Sequence, residues 1–82
     1  MKTIYIMLNT VEKVNNFVYD MRNVEGNVII RLGQYFINAK SIMGVFSLDL
    51  TKPLRLEIGD WKEEYEILVR KYMMTGNEQN EL

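Results

Sequence analysis

Short segments with the two-residue period of a β-strand alternate along this chain with segments that have the period of an α-helix. At 54–58, Leu54, Leu56 and Ile58 alternate with charged residues, which is typical of a half-buried strand. Between Val11 and Arg22 the apolar residues instead recur every three or four positions, which predicts one apolar stripe on a helix. Because both periods occur in one short chain, the sequence predicts an α+β domain in which helices pack on a sheet.

The predicted element order is β-α-β-β-α-β-α. The predicted segments are Thr3 to Leu8, about Val11 to Arg22, Val28 to Leu32, Tyr35 to Asn38, Ser41 to about Ser47, Leu54 to Ile58, and a last helix whose apolar face carries Trp61, Tyr65, Leu68, Val69 and Tyr72. Asp60 and Glu63 resemble a capping box for that helix. Helices are expected to cover one face of a four-stranded antiparallel sheet and to leave its other face open. The sequence predicts one domain over 1–74 and a disordered polar tail over 75–82.

Composition excludes several classes of function. Ten basic and eleven acidic residues give a net charge of -1, so we expect neither a nucleic acid nor a membrane surface as partner. The chain has no cysteine and no histidine, which argues against disulfides, a metal site or a cofactor. No cluster of residues typical of an active site is present, so an enzyme is not expected. The N-terminus lacks an export signal, which favours a cytoplasmic protein.

The segment from Asn38 to Leu48 is the strongest candidate for a binding surface. Ser41 is placed to cap a short helix, whose first N–H groups lack partners within the helix. Ile42, Met43 and Phe46 crowd a helix that is too short to bury all three. Such residues belong either to the core or to an interface, and the predicted interface also includes Lys40 and Ser47 at the two ends of the helix.

Residues 39–48, Ala-Lys-Ser-Ile-Met-Gly-Val-Phe-Ser-Leu, resemble the AKSIMGVxSL segment of HPr, the histidine phosphocarrier of the bacterial sugar phosphotransferase system. The resemblance extends from about Lys2 to Leu50 and implies the open-faced β-sandwich of that family. In Gram-positive relatives the serine that matches Ser41 is phosphorylated by a dedicated kinase, and the modified protein is a corepressor of a catabolite-control regulator. The resemblance therefore implies the HPr kinase or that regulator as protein partner.

The chain departs from HPr where the first helix begins. HPr has Gly-Ile-His-Ala-Arg-Pro there, whereas this chain has Leu8 to Lys13, with Thr10 in place of the phosphorylated histidine and Glu12 in place of the arginine. A threonine phosphate is a stable ester, and a carboxylate beside a phosphate repels it. We therefore expect no phosphocarrier activity and no catalytic residue, and we interpret Thr10 as a helix N-cap.

Two functional hypotheses follow. The first is an HPr-like regulatory or adaptor protein that acts through the surface from Ser41 to Leu48, with Ser41 as the candidate phosphorylation site in carbon catabolite control. The alternative is an orphan structural or protein-interaction domain that keeps the HPr fold and binds a new partner or a second copy of itself. Both hypotheses are compatible with a monomer or a weak homo-oligomer.

Overall fold

The structure is a computed structural model that describes residues 1–74. Within that range the predicted α+β class and the element order β-α-β-β-α-β-α are confirmed. The elements are β1 (Lys2–Ile6), α1 (Val11–Met21), β2 (Val28–Leu32), β3 (Tyr35–Asn38), α2 (Ile42–Phe46), β4 (Leu54–Ile58) and α3 (Glu66–Arg70), with a 3₁₀ turn at Glu63–Tyr65 directly before α3. The predicted polar tail at 75–82 lies outside the described residues.

The four strands form one antiparallel sheet in the order β1-β4-β2-β3. β4 lies between β1 and β2, so both of its edges are hydrogen-bonded, whereas β3 is an edge strand. Leu54, Leu56 and Ile58 of β4 are completely buried, as their alternation predicts. The predicted antiparallel sheet with helices on one face is therefore confirmed.

The core lies between the sheet and the helices. Residues from α1, including Phe17 and Met21, pack there against the inward-facing side chains of the strands. The largest completely buried core side chains are Phe17, Ile6, Leu8, Met21, Ile30, Leu54, Leu56 and Ile58. This apolar side of the sheet is the covered face.

The opposite side of the sheet is the open face, which carries Tyr5, Arg31, Phe36, Arg55 and Glu57. Each of the five alternates with an inward-facing residue on its own strand, and the strand pairing places them opposite one another. All five side chains therefore lie on the same side of the sheet. No helix covers this side in the part of the chain that the structure describes, which makes it the solvent side of an open sandwich.

The turn between β2 and β3 explains why the hairpin bounds were predictable. Gly33 has a φ of 62° and is followed by Gln34, which has a negative φ. A two-residue turn with positive φ only at its first central position is of type II′, and glycine is the residue that adopts this conformation without strain. The turn fixes the register in which Leu32 pairs with Tyr35.

The C-terminal part of the fold differs from the prediction. The last helix does not run to Tyr72, because the chain forms a 3₁₀ turn, a five-residue α3 and a short segment that pairs with β1. β1 ends at Ile6 and not at the predicted Leu8. The N–H of Met7 just beyond it donates to the carbonyl of Tyr72 at 2.9 Å. Residues 72–74 therefore add to the sheet at the β1 edge.

The predicted capping box of Asp60 and Glu63 does not form. The 3₁₀ turn begins after Lys62, which has no side-chain cap bond. The Asp60 carboxylate instead lies beside Gly26, where a β-carbon would be only 2.6 Å from Asp60 Oδ2. Gly26 also has a φ of 80°, a left-handed conformation that favours glycine, whereas the exposed Asp60 side chain is free to move aside.

None of the helices over residues 1–74 has the length and apolar character that crossing a bilayer demands.

Candidate functional site

Ser41 is the N-cap of α2, as predicted. Its backbone is extended, with φ -102° and ψ 112°, and its Oγ accepts the N–H of Gly44 at 3.2 Å. The Ser41 carbonyl accepts the N–H of Val45 at 3.0 Å, which begins the helical hydrogen bonds. The side chain remains on the surface. Ser41 therefore combines a structural role with an accessible hydroxyl group.

The apolar residues of α2 divide between the core and the surface. Val45 is completely buried, and Ile42 is half-buried against the core cluster. Met43 is 78% exposed and Phe46 is 39% exposed. The structure therefore leaves Met43 and Phe46 available to a partner, whereas Ile42 mainly anchors the helix.

Lys40 and Ser47, the predicted polar ends of this interface, are both engaged locally. The ammonium group of Lys40 donates to the carbonyl of Gly26 at 3.2 Å, and its own carbonyl accepts from Arg22 Nε at 3.4 Å. The Ser47 hydroxyl donates to the carbonyl of Gly44 at 2.6 Å. The two bonds of Lys40 attach the start of α2 to the end of α1 and to the loop before β2, whereas the Ser47 bond lies within the helix. Lys40, Ser41, Met43, Phe46 and Ser47 together form the α2 surface.

A shallow groove of about 1050 Å³ lies between β3 and the chain that follows α2. Tyr35 and Phe36 line one side and Leu48 and Asp49 line the other. Hydrogen bonds from the hydroxyl and the N–H of Thr51, at 2.6 and 3.1 Å, lower the pKa of the Asp49 carboxyl. The groove therefore combines exposed aromatic rings with a carboxylate that stays charged.

Thr10 and Glu12, which the resemblance aligns with the HPr histidine and arginine, lie at the start of α1. Thr10 Oγ1 accepts the N–H of Lys13 at 3.0 Å, which confirms its prediction as an N-cap. Glu12 is exposed in the first helical turn. Over residues 1–74, neither side chain forms a hydrogen bond or an ion pair with α2. Thr10 and Ser41 therefore cap separate helices.

No set of three histidine, cysteine, aspartate or glutamate side chains in the described part of the chain is arranged to hold a metal ion.

The open face carries a charged cluster that the sequence does not predict. Glu57 lies between Leu56 and Ile58, which face inward, so the alternation along β4 predicts that its side chain is in solvent. In the structure Glu57 is only 7% exposed. Its Oε2 lies 2.8 Å from Arg31 Nε and 3.0 Å from Arg55 Nε. The spacing of Arg55 and Glu57 shows that they share a face, but Arg31 joins them only through the pairing of β2 with β4.

In comparisons with known proteins, the chain matches no protein-family model, no curated protein and no solved structure. The resemblance to HPr therefore stays a prediction from the sequence.

Proposed function

We propose that the chain is an HPr-like regulatory or adaptor protein that binds a protein partner through the α2 surface and does not carry phosphate. The observation that supports this most directly is the exposure of Met43 and Phe46, two large apolar side chains on a helix anchored at its start by Lys40 and along its length by the buried Val45. Exposed apolar side chains in a rigid setting are typical of protein interfaces, because little conformational freedom is lost on binding. The partners that the resemblance implies are the HPr kinase and the catabolite-control regulator.

Phosphorylation of Ser41 is the proposed means of regulation. The hydroxyl is on the surface, one residue from the half-buried Ile42 and two from the exposed Met43. A phosphate there adds a charge of about -1.5 to -2 beside the apolar contact residues, which changes the partners that the same surface accepts. This assignment follows the resemblance of residues 39–48 to HPr.

The absence of a phosphocarrier role follows from the chemistry of Thr10 and Glu12. A phosphoryl group on an imidazole nitrogen can be passed on, whereas a threonine ester has a poor leaving group. Mixed with phosphoenolpyruvate and the first enzyme of the phosphotransferase relay, the protein should acquire no acid-labile phosphate, and phosphate transfer through Thr10 would contradict the proposal.

A phosphorylation experiment with a matched control tests the regulatory role. Wild type, Ser41→Ala and Ser47→Ala are incubated with the HPr kinase and ATP and examined by intact-protein mass spectrometry. Ser47 is the matched control because it is also an exposed serine that ends the same helix. Wild type and Ser47→Ala should each gain one phosphate, and Ser41→Ala should gain none. An unmodified wild type would count against the regulatory role.

A binding experiment tests the contact surface separately. The phosphorylated protein is titrated into the purified catabolite-control regulator in a calorimeter. Met43→Asp should weaken binding by about 10-fold or more, as expected for a central apolar contact. Ile67→Asp is the matched control, since Ile67 is 74% exposed and lies on α3. Equal affinities of the two variants would show that the α2 surface is not the contact site.

The alternative function, an interaction domain that binds a second copy of itself, is favoured by one observation. Edge strand β3 carries Tyr35 and Phe36, which are 74% and 62% exposed. An edge strand with exposed aromatic side chains is suited to pair with another strand. Light scattering over a range of concentrations should detect a dimer that Phe36→Lys abolishes, and a monomer throughout that range would exclude this alternative.

A further inference from the structure

Four side chains on the open face form one straight row across all the strands. Strand pairing places Tyr5 opposite Arg55, Arg55 opposite Arg31, and Arg31 opposite Phe36. Neighbouring strands are about 4.8 Å apart, so the row is roughly 14 Å long. It therefore has two guanidinium groups at its centre and one aromatic ring at each end, and we call it the arginine row.

The charges of the arginine row do not balance within the described residues. Arg31 and Arg55 both contact the same oxygen of Glu57, at 2.8 and 3.0 Å. Neither arginine forms an ion pair with another acidic residue over 1–74. One carboxylate therefore faces two guanidinium groups, which leaves one positive charge in excess.

The contact with Glu57 also orients the guanidinium group of Arg31, whose Nε–H donates a hydrogen bond to Oε2, whereas Arg55 contacts the same oxygen only as an ion pair. Glu57 is 7% exposed, so its carboxylate has a fixed environment, and the shortest contact of each arginine to it is through Nε. A guanidinium group has further N–H donors in the same plane, on its Nη atoms. Arg31 is additionally held against the ring of Phe36, with 5.2 Å between its Cζ and the ring centre. The two arginine side chains remain nearly half exposed, at 45% and 46%.

A small cavity opens directly at the two arginines. It has a volume of about 240 Å³ and is lined by Tyr5, Arg31, Arg55, Leu32, Gly33 and Pro53. Tyr5, which is 53% exposed, supplies an aromatic wall. Pro53 supplies an aliphatic wall. A pocket of this size is below the usual range for drug-sized ligands, so it suits a small molecule.

We propose that this cavity binds a small organic monocarboxylate. The carboxylate lies between the guanidinium groups of Arg31 and Arg55, and the apolar part of the ligand lies against Tyr5 and Pro53. Planar carboxylates match the paired donors of guanidinium groups. The charge argument favours a monoanion. The single excess positive charge attracts a phosphate dianion twice as strongly as a carboxylate, but the cost of removing an ion from water grows with the square of its charge. The site lies on the open face and is independent of the function proposed for α2.

The test is a titration of the ¹⁵N-labelled protein by NMR with benzoate, phenyl phosphate and benzyl alcohol. Benzoate should shift the amide signals around the cavity and should bind more tightly than either of the other two compounds. Arg31→Gln and Arg55→Gln should each weaken benzoate binding by about 10-fold or more, because a charge-assisted hydrogen bond is lost. Arg70→Gln is the matched control, since Arg70 is an exposed arginine on α3 paired with Glu66. It should bind benzoate like the wild type.

A second variant separates charge from shape. Glu57→Gln removes the only carboxylate of the cluster while keeping a side chain of the same size, so the excess charge rises to two. Phenyl phosphate should then bind more tightly than benzoate, which reverses the order seen in the wild type. Equal binding of benzoate and benzyl alcohol to the wild type, or tighter binding of phenyl phosphate than of benzoate, would overturn the proposal. Equal benzoate affinities of Arg31→Gln and Arg70→Gln would also overturn it.

Discussion

The two faces of the sheet are built from the same strands but from different chemistry. On β4, Leu56 faces the helices and is completely buried, whereas its neighbour Arg55 faces solvent. The covered face is apolar throughout the core cluster, and the open face combines arginine, glutamate and aromatic side chains. Apolar burial is the main favourable contribution to folding. The covered face therefore determines stability, which leaves the open face free to vary and to bind.

Each side of the sheet also contains one buried carboxylate. Asp20, on the helical side, accepts the hydroxyl of Tyr72 at 2.6 Å and the ammonium group of Lys71 at 2.8 Å. Glu57, on the open face, contacts two partly exposed arginines. Both carboxylates have partners, but only the Asp20 pair with Tyr72 is formed by two buried residues. A hydrogen bond between buried groups is screened less by water, so we expect it to contribute more to stability.

The largest effect that distinguishes the two faces should come from Leu56→Ala. This change removes apolar atoms from a completely buried position and leaves a cavity, so the free energy of unfolding should fall by about 3 kcal/mol. Phe36→Ala is the comparison, because it removes more atoms but from a side chain that is 62% exposed. Urea denaturation should show a much smaller loss for Phe36→Ala. Similar losses for the two variants would contradict the division between the faces.

A smaller effect is expected from Tyr72→Phe. The phenylalanine ring keeps the edge-to-face contact with Phe17, whose ring centre is 5.2 Å away, but loses the hydrogen bond to Asp20. The free energy of unfolding at neutral pH should fall by about 2 kcal/mol, as for other hydrogen bonds to charged groups. Thermal unfolding followed by circular dichroism measures the loss. Tyr19→Phe is the control, because Tyr19 is 70% exposed and should be replaceable without effect.

We also expect the stability of the fold to decrease at alkaline pH because of Tyr72. Burial, followed by the hydrogen bond to Asp20 and the charge of Asp20, raises the pKa of Tyr72 well above the ordinary value of 10.0. A group whose pKa is higher in the folded state stabilises the fold fully below its unfolded pKa. That stabilisation is lost as the pH rises from about 10 through the folded pKa. Tyr72→Phe should therefore show a smaller decrease in stability above pH 10 than the wild type.

Glu57→Gln should have a smaller effect than either of these changes. Glutamine keeps the shape of the buried side chain but loses the charge that attracts Arg31 and Arg55, which are partly screened by solvent. We expect the free energy of unfolding to fall by about 1 kcal/mol, and by less at high salt. Denaturation at low and high ionic strength measures both values. A loss as large as that of Leu56→Ala would show that the open face contributes to stability as strongly as the covered face.

Most of the strand bounds could be predicted because they depend on local signals. β2 and β3 begin and end where the sequence predicted, since Gly33 fixes the turn between them. The end of the last helix could not be predicted in this way. Tyr72 has the spacing of a helical core residue, but its carbonyl pairs with Met7 and its hydroxyl with Asp20. Both partners are distant in sequence, so helical spacing alone does not reveal them.

The difference between local and distant partners also decides which parts of the helix caps and of the Glu57 cluster could be predicted. The caps formed by Thr10 and Ser41 could be predicted, because each bonds to an N–H three residues later. The burial of Glu57 could not, because it depends on the register that brings Arg31 of β2 beside Arg55 of β4. Sequence alternation identifies which residues share a face of one strand, but it does not identify their neighbours on the next strand.

The smallest predicted effect concerns α2, where the contrast between buried and exposed side chains occurs within one short helix. Met43 is 78% exposed, so Met43→Asp should change the free energy of unfolding by no more than about 0.5 kcal/mol. Val45 is completely buried two residues later, and Val45→Ala should cost about 2 kcal/mol. Urea denaturation of both variants measures the difference. A large loss for Met43→Asp would show that Met43 contributes to the core. Weaker binding of the partner by this variant could then reflect unfolding alone, and Met43 would be removed from the proposed contact surface.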